Sequence, residues 1–289
     1  MNVHDVAALL PPRFGQVRSV EEIQVGLSGA EVLGVSTDGG DYVLRIVPIL
    51  DHDLWARELV VRRLTSDAGI APALEWVDES RGVTLTRRIG GRGLVGALGD
   101  AGERTRALGS LARTLARLHA LPSDGLVVAD PVAFARRTWR VQSGRPGFPA
   151  WAAPAFDHVE RAARLLADDD RLEPSHNDLN PANVLWDGEC CRLVDFEDGG
   201  LSDPAYELAD HVEHLGSRVP GVYDVHALPA AVGLDAEHRA RMAAYRPLWA
   251  AFWLAMLLPG NGGWRRNPAG TTEAQARHVM DLLRDPAGT

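Results

Sequence analysis

Three polar side chains with a regular spacing stand out in the second half of the chain. Asp178 and Asn183 lie in SHNDLNPANVLW (175–186), and Asp195 follows in LVDFED (193–198). In phosphoryl transfer a protein orients the attacking hydroxyl and holds a divalent metal on the phosphates, with little covalent chemistry of its own. A loop carboxylate can orient the hydroxyl, and an amide oxygen with a second carboxylate suits a hard cation such as Mg²⁺. The pattern therefore predicts phosphoryl transfer.

Each of these residues is ambiguous when taken alone. A single Asp or Asn in a loop is commonly a turn or cap residue, and we interpret His176 as a packed structural residue. The order His-x-Asp-x-x-x-x-Asn, an apolar hairpin and Asp-Phe is nevertheless that of a kinase catalytic loop. We therefore favour a kinase-like site over a plain loop and hairpin, and expect the hairpin to return Asp195 towards Asp178 and Asn183.

Composition narrows the class of partner. Among 289 residues there are 30 basic and 39 acidic side chains, for a net charge of −9, and every basic residue is Arg. Nucleic-acid binding needs a clustered positive surface, so we expect no nucleic-acid partner. Any cation near phosphate must here be an arginine, whose planar fork differs from the point charge of lysine.

The sequence also predicts a cytoplasmic protein without a membrane segment. Cys190 and Cys191 are adjacent, and neighbours this close rarely satisfy disulfide geometry, so we expect reduced thiols. The N-terminal segment lacks the charged and apolar regions of a signal peptide. The longest apolar stretch, 247–259, is too short to span a bilayer and predicts a buried helix.

The pattern of elements predicts an α+β fold with two parts. Strand-like segments cover 20–50, with a DGGD hairpin turn, and a helix covers 51–67, where Leu54, Leu59 and Leu64 form an apolar stripe. Two more strands precede a glycine-dense segment at 89–93 that is typical of a hinge. Beyond it the chain is mostly helical. We expect a nucleotide-binding domain at 1–90 and a catalytic, acceptor-binding domain at 91–289.

The chain resembles the aminoglycoside phosphotransferase and choline kinase family, which is related to the protein kinases. The resemblance covers most of the chain. It implies a bilobal protein-kinase-like fold, with a small N-terminal antiparallel-sheet lobe holding one long helix and a larger, mostly helical C-terminal lobe. The segments that carry it are GLSGAEVLGV (26–35), YVLRIV (42–47), WARELVVRRL (55–64), TLTRRIGG (84–91), LARLHALP (115–122), HNDLNPAN (176–183), DFED (195–198) and DPAYELAD (203–210).

The resemblance also implies roles for individual residues. Asp178 would be the catalytic base or hydroxyl-orienting group, and Asn183 and Asp195 would bind Mg²⁺. Arg45 would contact the phosphates of ATP, with GTP as an alternative nucleotide, and would be held by Glu58. The remaining nucleotide-binding residues would be Ser28 and Gly29 in the loop over the phosphates, and Thr86 and Arg88 near the segment that links the lobes.

Three positions depart from the family pattern. Arg45 stands where protein kinases use Lys, and Glu207 stands where the family often has Asp. Asn177 stands where family members usually have Gly. Since Asn tolerates a positive φ better than most residues, we predict a positive φ at Asn177.

Two groups of residues permit two interpretations each. The aromatic stripe near the C-terminus is more typical of a core, although it could form a wall of the acceptor pocket. The acidic residues after Asp195 are more typical of solvated helix-end charges, although they could receive a cationic acceptor. The stripe comprises Trp249, Phe252, Trp253 and Met256, and the acidic group comprises Glu197, Asp198, Asp210 and Glu213.

The function that follows is an ATP- and Mg²⁺-dependent small-molecule kinase. The acceptor would be a hydroxyl compound such as an aminoglycoside, another antibiotic, an amino alcohol or a sugar, and antibiotic resistance would be one biological role. DFED runs almost directly into DPAYELAD, which leaves no room for a long peptide-docking activation loop. A non-catalytic regulatory module and a nucleotidyl transferase remain alternatives, and both a monomer and a homodimer remain open.

Overall fold

The chain forms two compact units, seen here in a computed structural model. The structure describes residues 1–23, 30–48, 52–129, 133, 136–137, 140–141, 143–145, 172–218, 227–258 and 263–285. The first unit consists of Met1–Gly91 together with Arg192–Glu197, and the second consists of Arg92–Cys191 together with Asp198–Thr289. A short segment of the second half of the sequence thus belongs to the first unit.

The first unit is built on a five-stranded antiparallel sheet, as the α+β interpretation expects. The strand order is β1-β2-β3-β5-β4. The predicted hairpin turn is confirmed, because β2 and β3 pair from Thr37 opposite Gly40 onwards. The strands are β1 (Val17–Glu22), β2 (Glu31–Thr37), β3 (Gly40–Ile46), β4 (Leu74–Asp78) and β5 (Val83–Arg87).

One face of this sheet carries the apolar core of the unit. Leu44 on β3 pairs with Leu33 on β2 and with Leu85 on β5, and Leu44 and Leu85 have no exposed surface. Burying a side chain of this size contributes about 2 kcal/mol. The short helix α1 (Val3–Leu9) adds Val6 to the same cluster. Since neighbouring residues on a strand face opposite sides, Arg45 projects to the other face.

Helix α2 (His52–Asp67) belongs to the same unit, but its buried face differs from the predicted stripe. Leu54 is 59% exposed, while Trp55 and Leu59 are buried. The predicted stripe contains apolar residues only, whereas the face of α2 that is buried also carries Glu58. A charged residue can be buried when it is paired, and Glu58 is paired with two arginines.

The second unit is mainly helical. Its helix α4 (Ala101–His119) begins after the N-cap Asp100 and buries Leu111, Leu115 and Leu118. The helices among its described residues are α3 (Leu94–Ala97), α4 (Ala101–His119), α5 (Pro204–Glu213), α6 (Ala227–Val232), α7 (Ala236–Met256) and α8 (Thr271–Arg284). The apolar stretch near the C-terminus lies largely in α7, as predicted, and Leu254 there packs against Val279 and Leu282 of α8.

Short strands frame the loops of the second unit. Strand β6 (Arg92–Gly93) pairs with β8 (Val184–Trp186), and β7 (Glu173–Ser175) pairs with β10 (Gly200–Ser202), both antiparallel. A tight turn follows β8, in which the Asp187 N–H donates to the Cys190 carbonyl, and β9 (Cys191–Leu193) comes after it. The chain therefore turns back after β8 as the hairpin prediction requires.

The sequence predicts reduced cysteines and no membrane-spanning segment. Both cysteines are free, with Cys190 exposed and Cys191 buried. Within the described part of the chain, no helix combines the length and the apolar composition that crossing a bilayer requires.

Candidate active site

The loop after β7 carries the first group of candidate residues. Asn177 has φ 62°, so its predicted left-handed conformation is confirmed. The N–H groups of His176 and Asn177 both donate to Oε2 of Glu207, at 3.0 Å for Asn177. His176 has no exposed surface, in agreement with a structural role. The turn at Asn177 thus aims two successive peptide N–H groups at one buried carboxylate.

Asp178 follows this turn and is held by two amide side chains. Asn180 Nδ2 donates to both carboxylate oxygens of Asp178 at 3.2 Å, and Asn183 Nδ2 donates to Oδ2 at 2.8 Å. Asp178 is half-buried. A carboxylate with amide donors on both oxygens has a set orientation and accepts hydrogen bonds best when ionised. The geometry suits a group that accepts a proton or orients a hydroxyl.

Asn183 is oriented so that its carbonyl oxygen can ligate a metal. It lies in a single 3-10 turn, Pro181–Asn183, whose start is capped by Asn180 Oδ1. Its Nδ2 donates to the main-chain oxygen of Asp178 at 2.9 Å as well as to the carboxylate. An Asn amide has one donor nitrogen and one acceptor oxygen, so this arrangement turns Oδ1 away from Asp178 and leaves it for another partner.

Asp195 lies in the first unit, two residues after β9, with φ 67°. A positive φ is uncommon for a residue other than Gly, and the sequence interpretation does not anticipate it here. Oδ1 of Asp195 lies 3.3 Å from Arg45 Nη2 and 3.7 Å from Arg62 Nη2. With Oδ1 directed at two cations, Oδ2 is the oxygen that remains for a metal.

Arg45 and Glu58 form the ion pair that the resemblance implies. Arg45 Nη1 donates to Glu58 Oε1 at 2.5 Å, and Arg45 Nη2 also reaches Glu197 Oε2 at 3.2 Å. Arg45 is 8% exposed and Glu58 is 6% exposed. Removing one partner of so buried a pair would leave an uncompensated charge, which is strongly unfavourable.

Two of the remaining nucleotide-binding candidates, Thr86 and Arg88, contact other residues of the first unit. Thr86 stands opposite Val43, and its hydroxyl donates to the Val43 carbonyl at 3.4 Å. Arg88 forms an ion pair with Glu21 at 2.5 Å. Ser28 and Gly29 lie outside the described residues.

A Mg²⁺ ion fits the donor set that these residues offer. No three His, Cys, Asp or Glu side chains group as a metal site among the described residues. Mg²⁺ does not require such a cage, because it is usually bound by one or two protein ligands together with water and substrate phosphates. Asn183 Oδ1 and Asp195 Oδ2 are oxygen donors of the kind that this ion prefers.

Glu207 was recognised in the sequence only as a departure from the family pattern, and its function in the loop was missed. It has no exposed surface, and its Oε1 accepts a hydrogen bond from His119 Nε2 at 2.9 Å. Burial alone would raise the pKa of Glu207, but the hydrogen bond and charge of His119, the charge of His176 and the Asn177 N–H lower this pKa below its ordinary value. Glu207 lies in the first turn of α5. An acid at this position is commonly explained by the helix dipole, so the sequence alone does not indicate its contacts with the loop.

Asp210 and Glu213 correct the interpretation of the acidic group as solvated. Both are 1% exposed, whereas Glu197 and Asp198 are exposed as predicted. Glu213 accepts from Arg246 Nε at 2.6 Å and lies 2.5 Å from His278 Nε2. Those partners are on α7 and α8, so local sequence gives no sign of them.

Asp210 is buried beside other acids. Burial raises the pKa of Asp210 well above its ordinary value, and the charge of Asp178 raises this pKa further. Trp253 Nε1 donates to Asp210 Oδ1 at 3.3 Å.

The aromatic stripe is buried in part. Trp249 is buried, as a core stripe requires, while Phe252 and Trp253 are half-buried.

The chain matches the model of a known family. Residues 19–256 match the model described as the phosphotransferase enzyme family. No protein of curated function matches the sequence significantly.

Solved structures resemble it over nearly its whole length. A choline/ethanolamine kinase family protein from Mesorhizobium loti is 22% identical, with a TM-score of 0.70 over 99% of this chain and 93% of that chain. Choline kinase LicA from Streptococcus pneumoniae is 15% identical, with a TM-score of 0.64 over 97% and 96%. A thermostable mutant of aminoglycoside phosphotransferase APH(4)-Ia, in complex with ADP and hygromycin B, is 18% identical, with a TM-score of 0.66 over 99% and 100%. At these identities the likeness shows the fold, and the predicted kinase-like α+β fold is confirmed.

Proposed function

Because the chain belongs to the phosphotransferase enzyme family, we propose that it transfers the γ-phosphate of ATP to a hydroxyl group of a small molecule, with Mg²⁺ as the metal. The observation that carries this proposal is the environment of Asp178. Its two carboxylate oxygens are held by Asn180 and Asn183. The loop that presents it is anchored by its peptide N–H groups on Glu207.

Asp178 acts as the acceptor for the hydroxyl proton. Phosphoryl transfer proceeds mainly through positioning and charge stabilisation, so the main requirement on this residue is a stable orientation. The two Asn donors meet that requirement without neutralising the carboxylate. The substrate hydroxyl then donates to a carboxylate oxygen, and its proton passes to Asp178 as its oxygen bonds to the γ-phosphorus. The bond from that phosphorus to the β–γ bridging oxygen breaks, and ADP leaves.

Asn183 and Asp195 would hold the metal, through Oδ1 and Oδ2 respectively. The chemistry that Mg²⁺ would supply there is neutralisation of the charge that develops on the phosphates. The orientation of Asn183 is maintained by its two hydrogen bonds to Asp178. The same Asn therefore links the orientation of the base to that of the metal ligand.

Arg45 contacts the phosphates, as the strand lysine does in protein kinases. Glu58 holds its guanidinium through Nη1, while Nη2 contacts the carboxylates of Asp195 and Glu197. We assign Ser28, Gly29, Thr86 and Arg88 to the nucleotide as well, on the strength of the resemblance. Nucleotide binding is consistent with the ADP bound to the aminoglycoside phosphotransferase noted above.

The acceptor is a small molecule rather than a protein. Residues 197–203 alone separate Phe196 from helix α5, and three of them form β10. A protein kinase needs a longer segment there to dock a peptide. Choline kinase and the hygromycin B complex among the similar structures show small-molecule acceptors on this fold.

A cationic acceptor is favoured by the charges around the base. Burial and the charge of Asp178 raise the pKa of Asp210, and Asp198 contributes to the same effect, so a cation bound beside these acids would relieve their repulsion. A concentration of negative charge attracts a positively charged ligand. Amino alcohols and aminoglycosides both carry such a charge, and both belong in an acceptor panel.

The direct test is phosphate transfer from labelled ATP to that panel, together with Asp178→Asn. We expect transfer to at least one hydroxyl compound, and we expect kcat to fall about 10² to 10⁴-fold in the variant because the proton acceptor is lost. The affinity for ADP should not change. Asp187→Asn is a matched control, because Asp187 lies in the exposed turn after β8.

The mass of the product separates the alternatives. Addition of phosphate supports the proposal, whereas addition of AMP would establish nucleotidyl transfer. ATP binding without transfer to any acceptor or to water would favour a regulatory module. Full activity of Asp178→Asn would exclude Asp178 as the base.

A further inference from the structure

Arg62 is a buried cation in the first unit to which the function proposed above assigns no role. It lies on α2, one helical turn after Glu58. Its side chain is 11% exposed, compared with 51% for its neighbour Arg63. A guanidinium is rarely withdrawn from water without partners, so the groups that surround it indicate its role.

Two carboxylates surround Arg62, and both also contact Arg45. Arg62 Nε donates to Glu58 Oε1 at 2.6 Å, the same oxygen that accepts from Arg45 Nη1 at 2.5 Å. Arg62 Nη2 faces Asp195 Oδ1 at 3.7 Å, the same oxygen that Arg45 Nη2 approaches at 3.3 Å. The four side chains form a closed arrangement in which positive and negative groups alternate. We call it the four-charge cluster.

Pairing with Glu58 does not by itself explain Arg62. Glu58 already has Arg45 as a buried partner, and a second buried guanidinium adds a desolvation cost and repulsion from the first. Arg62 Nη2 is buried and makes no hydrogen bond to any described residue. A buried donor in this condition calls for an explanation. The anionic group that it faces is Asp195.

Asp195 is a residue whose position needs support. Its φ of 67° is a conformation that side chains other than Gly adopt at a cost. Its carboxylate is attracted from the β3 side by Arg45 and from the α2 side by Arg62. Two cations on one oxygen limit the rotation of the carboxylate more than one cation does. Mg²⁺ tolerates little deviation from octahedral geometry, so this restraint bears directly on metal binding.

We propose that Arg62 is a positioning residue for the metal ligand Asp195. Glu58, on the same helix, holds the guanidinium of Arg62 through Nε, and Arg62 Nη2 faces Asp195. Arg62 thereby connects α2 to the Asp195 segment. The inference rests on the proposed function, because it assigns Asp195 to the metal. Arg62 itself is not assigned to any contact with substrate.

The shape of the arginine side chain allows Arg62 to contact Glu58 and Asp195 at the same time. Its planar fork presents separate N–H groups to two acceptors, whereas lysine presents a compact point charge. The sequence uses only arginine as a long cation. Lysine at position 62 would keep the charge but not both contacts.

The test is a double-mutant cycle on ADP affinity, measured with and without Mg²⁺. The variants are Arg62→Gln, Arg62→Lys, Asp195→Asn and the double variant Arg62→Gln/Asp195→Asn. Arg63→Gln is the matched control, because Arg63 is exposed and pairs with Glu79 on the surface. Residues that support a metal ligand typically change metal affinity about 10-fold or more when replaced.

We expect Arg62→Gln to reduce the Mg²⁺-dependent gain in ADP affinity about tenfold, with ADP affinity in EDTA unchanged. In the Asp195→Asn background the same substitution should have no further effect. Arg62→Lys should fold and still lose most of the gain, and it serves as the test if Arg62→Gln does not fold. Arg63→Gln should behave as the wild type.

Several results would overturn the inference. These are an equal loss of ADP affinity with and without Mg²⁺, an equal loss in both Asp195 backgrounds, a wild-type response of Arg62→Lys, and a wild type that binds ADP without regard to Mg²⁺. A wild type that binds Mg²⁺–ADP but transfers no phosphate would instead contradict the proposed function alone.

Discussion

Glu207 illustrates how one side chain can determine the shape of a catalytic loop. Its Oε2 accepts two successive peptide N–H groups, and its Oε1 accepts from His119. Buried N–H groups need acceptors, and a charged acceptor is worth about 1.5–3 kcal/mol per bond. The left-handed turn at Asn177 directs both N–H groups to this carboxylate.

Replacement of Glu207 should therefore separate charge from geometry. We expect Glu207→Ala to lower the free energy of unfolding by about 3 kcal/mol, because two buried N–H groups lose their acceptor. Glu207→Gln should cost about 1 kcal/mol, since its oxygen can still accept and His119 can change tautomer to suit the amide. Denaturant unfolding measures both. A loss below about 1 kcal/mol in Glu207→Ala would contradict the importance of this acceptor.

Helix α5 is buried along its whole length. Its N-cap Asp203 accepts from the Ala205 N–H at 3.0 Å and from Arg241 Nε at 2.7 Å. Asp203 has no exposed surface and Arg241 is 2% exposed. The helix that carries Glu207, Asp210 and Glu213 is thus fixed to α7 by a buried ion pair as well as by apolar packing.

Removal of the Arg241 charge should destabilise the second unit. Arg241→Met keeps much of the side-chain volume but leaves the carboxylate of Asp203 buried without its partner. We expect a loss of about 3–5 kcal/mol in the free energy of unfolding. Arg277→Met, an exposed arginine on α8, is the control and should cost less than about 0.5 kcal/mol. A loss no larger than that of the control would contradict a structural role for the pair.

Buried histidines give the whole molecule a predictable response to acid. Burial lowers the pKa of His211 to about 4 and the pKa of His214 to about 4. His211 has no exposed surface, and its ring donates through Nδ1 to the carbonyl of Leu179, the residue after Asp178. In the unfolded chain histidine titrates at its ordinary pKa of about 6.5. The unfolded state therefore binds more protons between these two values, and stability falls as the pH falls from about 6.5 towards 4.

His211→Gln should reduce this pH dependence. We expect the slope of unfolding free energy against pH to flatten between about pH 6.5 and 4, because one group with a depressed pKa is removed. The Gln amide can still donate to the Leu179 carbonyl. His4→Gln, at an exposed position, should leave the slope unchanged. If the slope in His211→Gln equals that of the wild type, His211 does not differ in pKa between the folded and the unfolded chain, and the prediction is wrong.

Patterns in the amino-acid sequence were sufficient to predict the class of fold, the order of its elements and the identity of the candidate chemical groups. The left-handed conformation of Asn177 could be predicted because Asn tolerates a positive φ and stands where the family usually has Gly. Hairpin turns and helix periodicity depend on local rules, and they could be predicted because neighbouring residues decide them. The same is true of the spacing of Asp178 and Asn183, which meet through hydrogen bonds within one loop. A local signal for Arg62 also existed, since it follows Glu58 at helical spacing.

Which charges are buried, and which partners they have, became visible in the folded structure and could not be predicted from local patterns. Asp210 and Glu213 resemble surface acids in the sequence, but they are buried because their partners lie on helices much later in the chain. The same holds for Glu207 with the loop at Asn177, and for Asp195 with Arg45 and Arg62. Burial depends on what packs against a residue, and contacts between distant segments leave no periodic trace in the sequence that could reveal it.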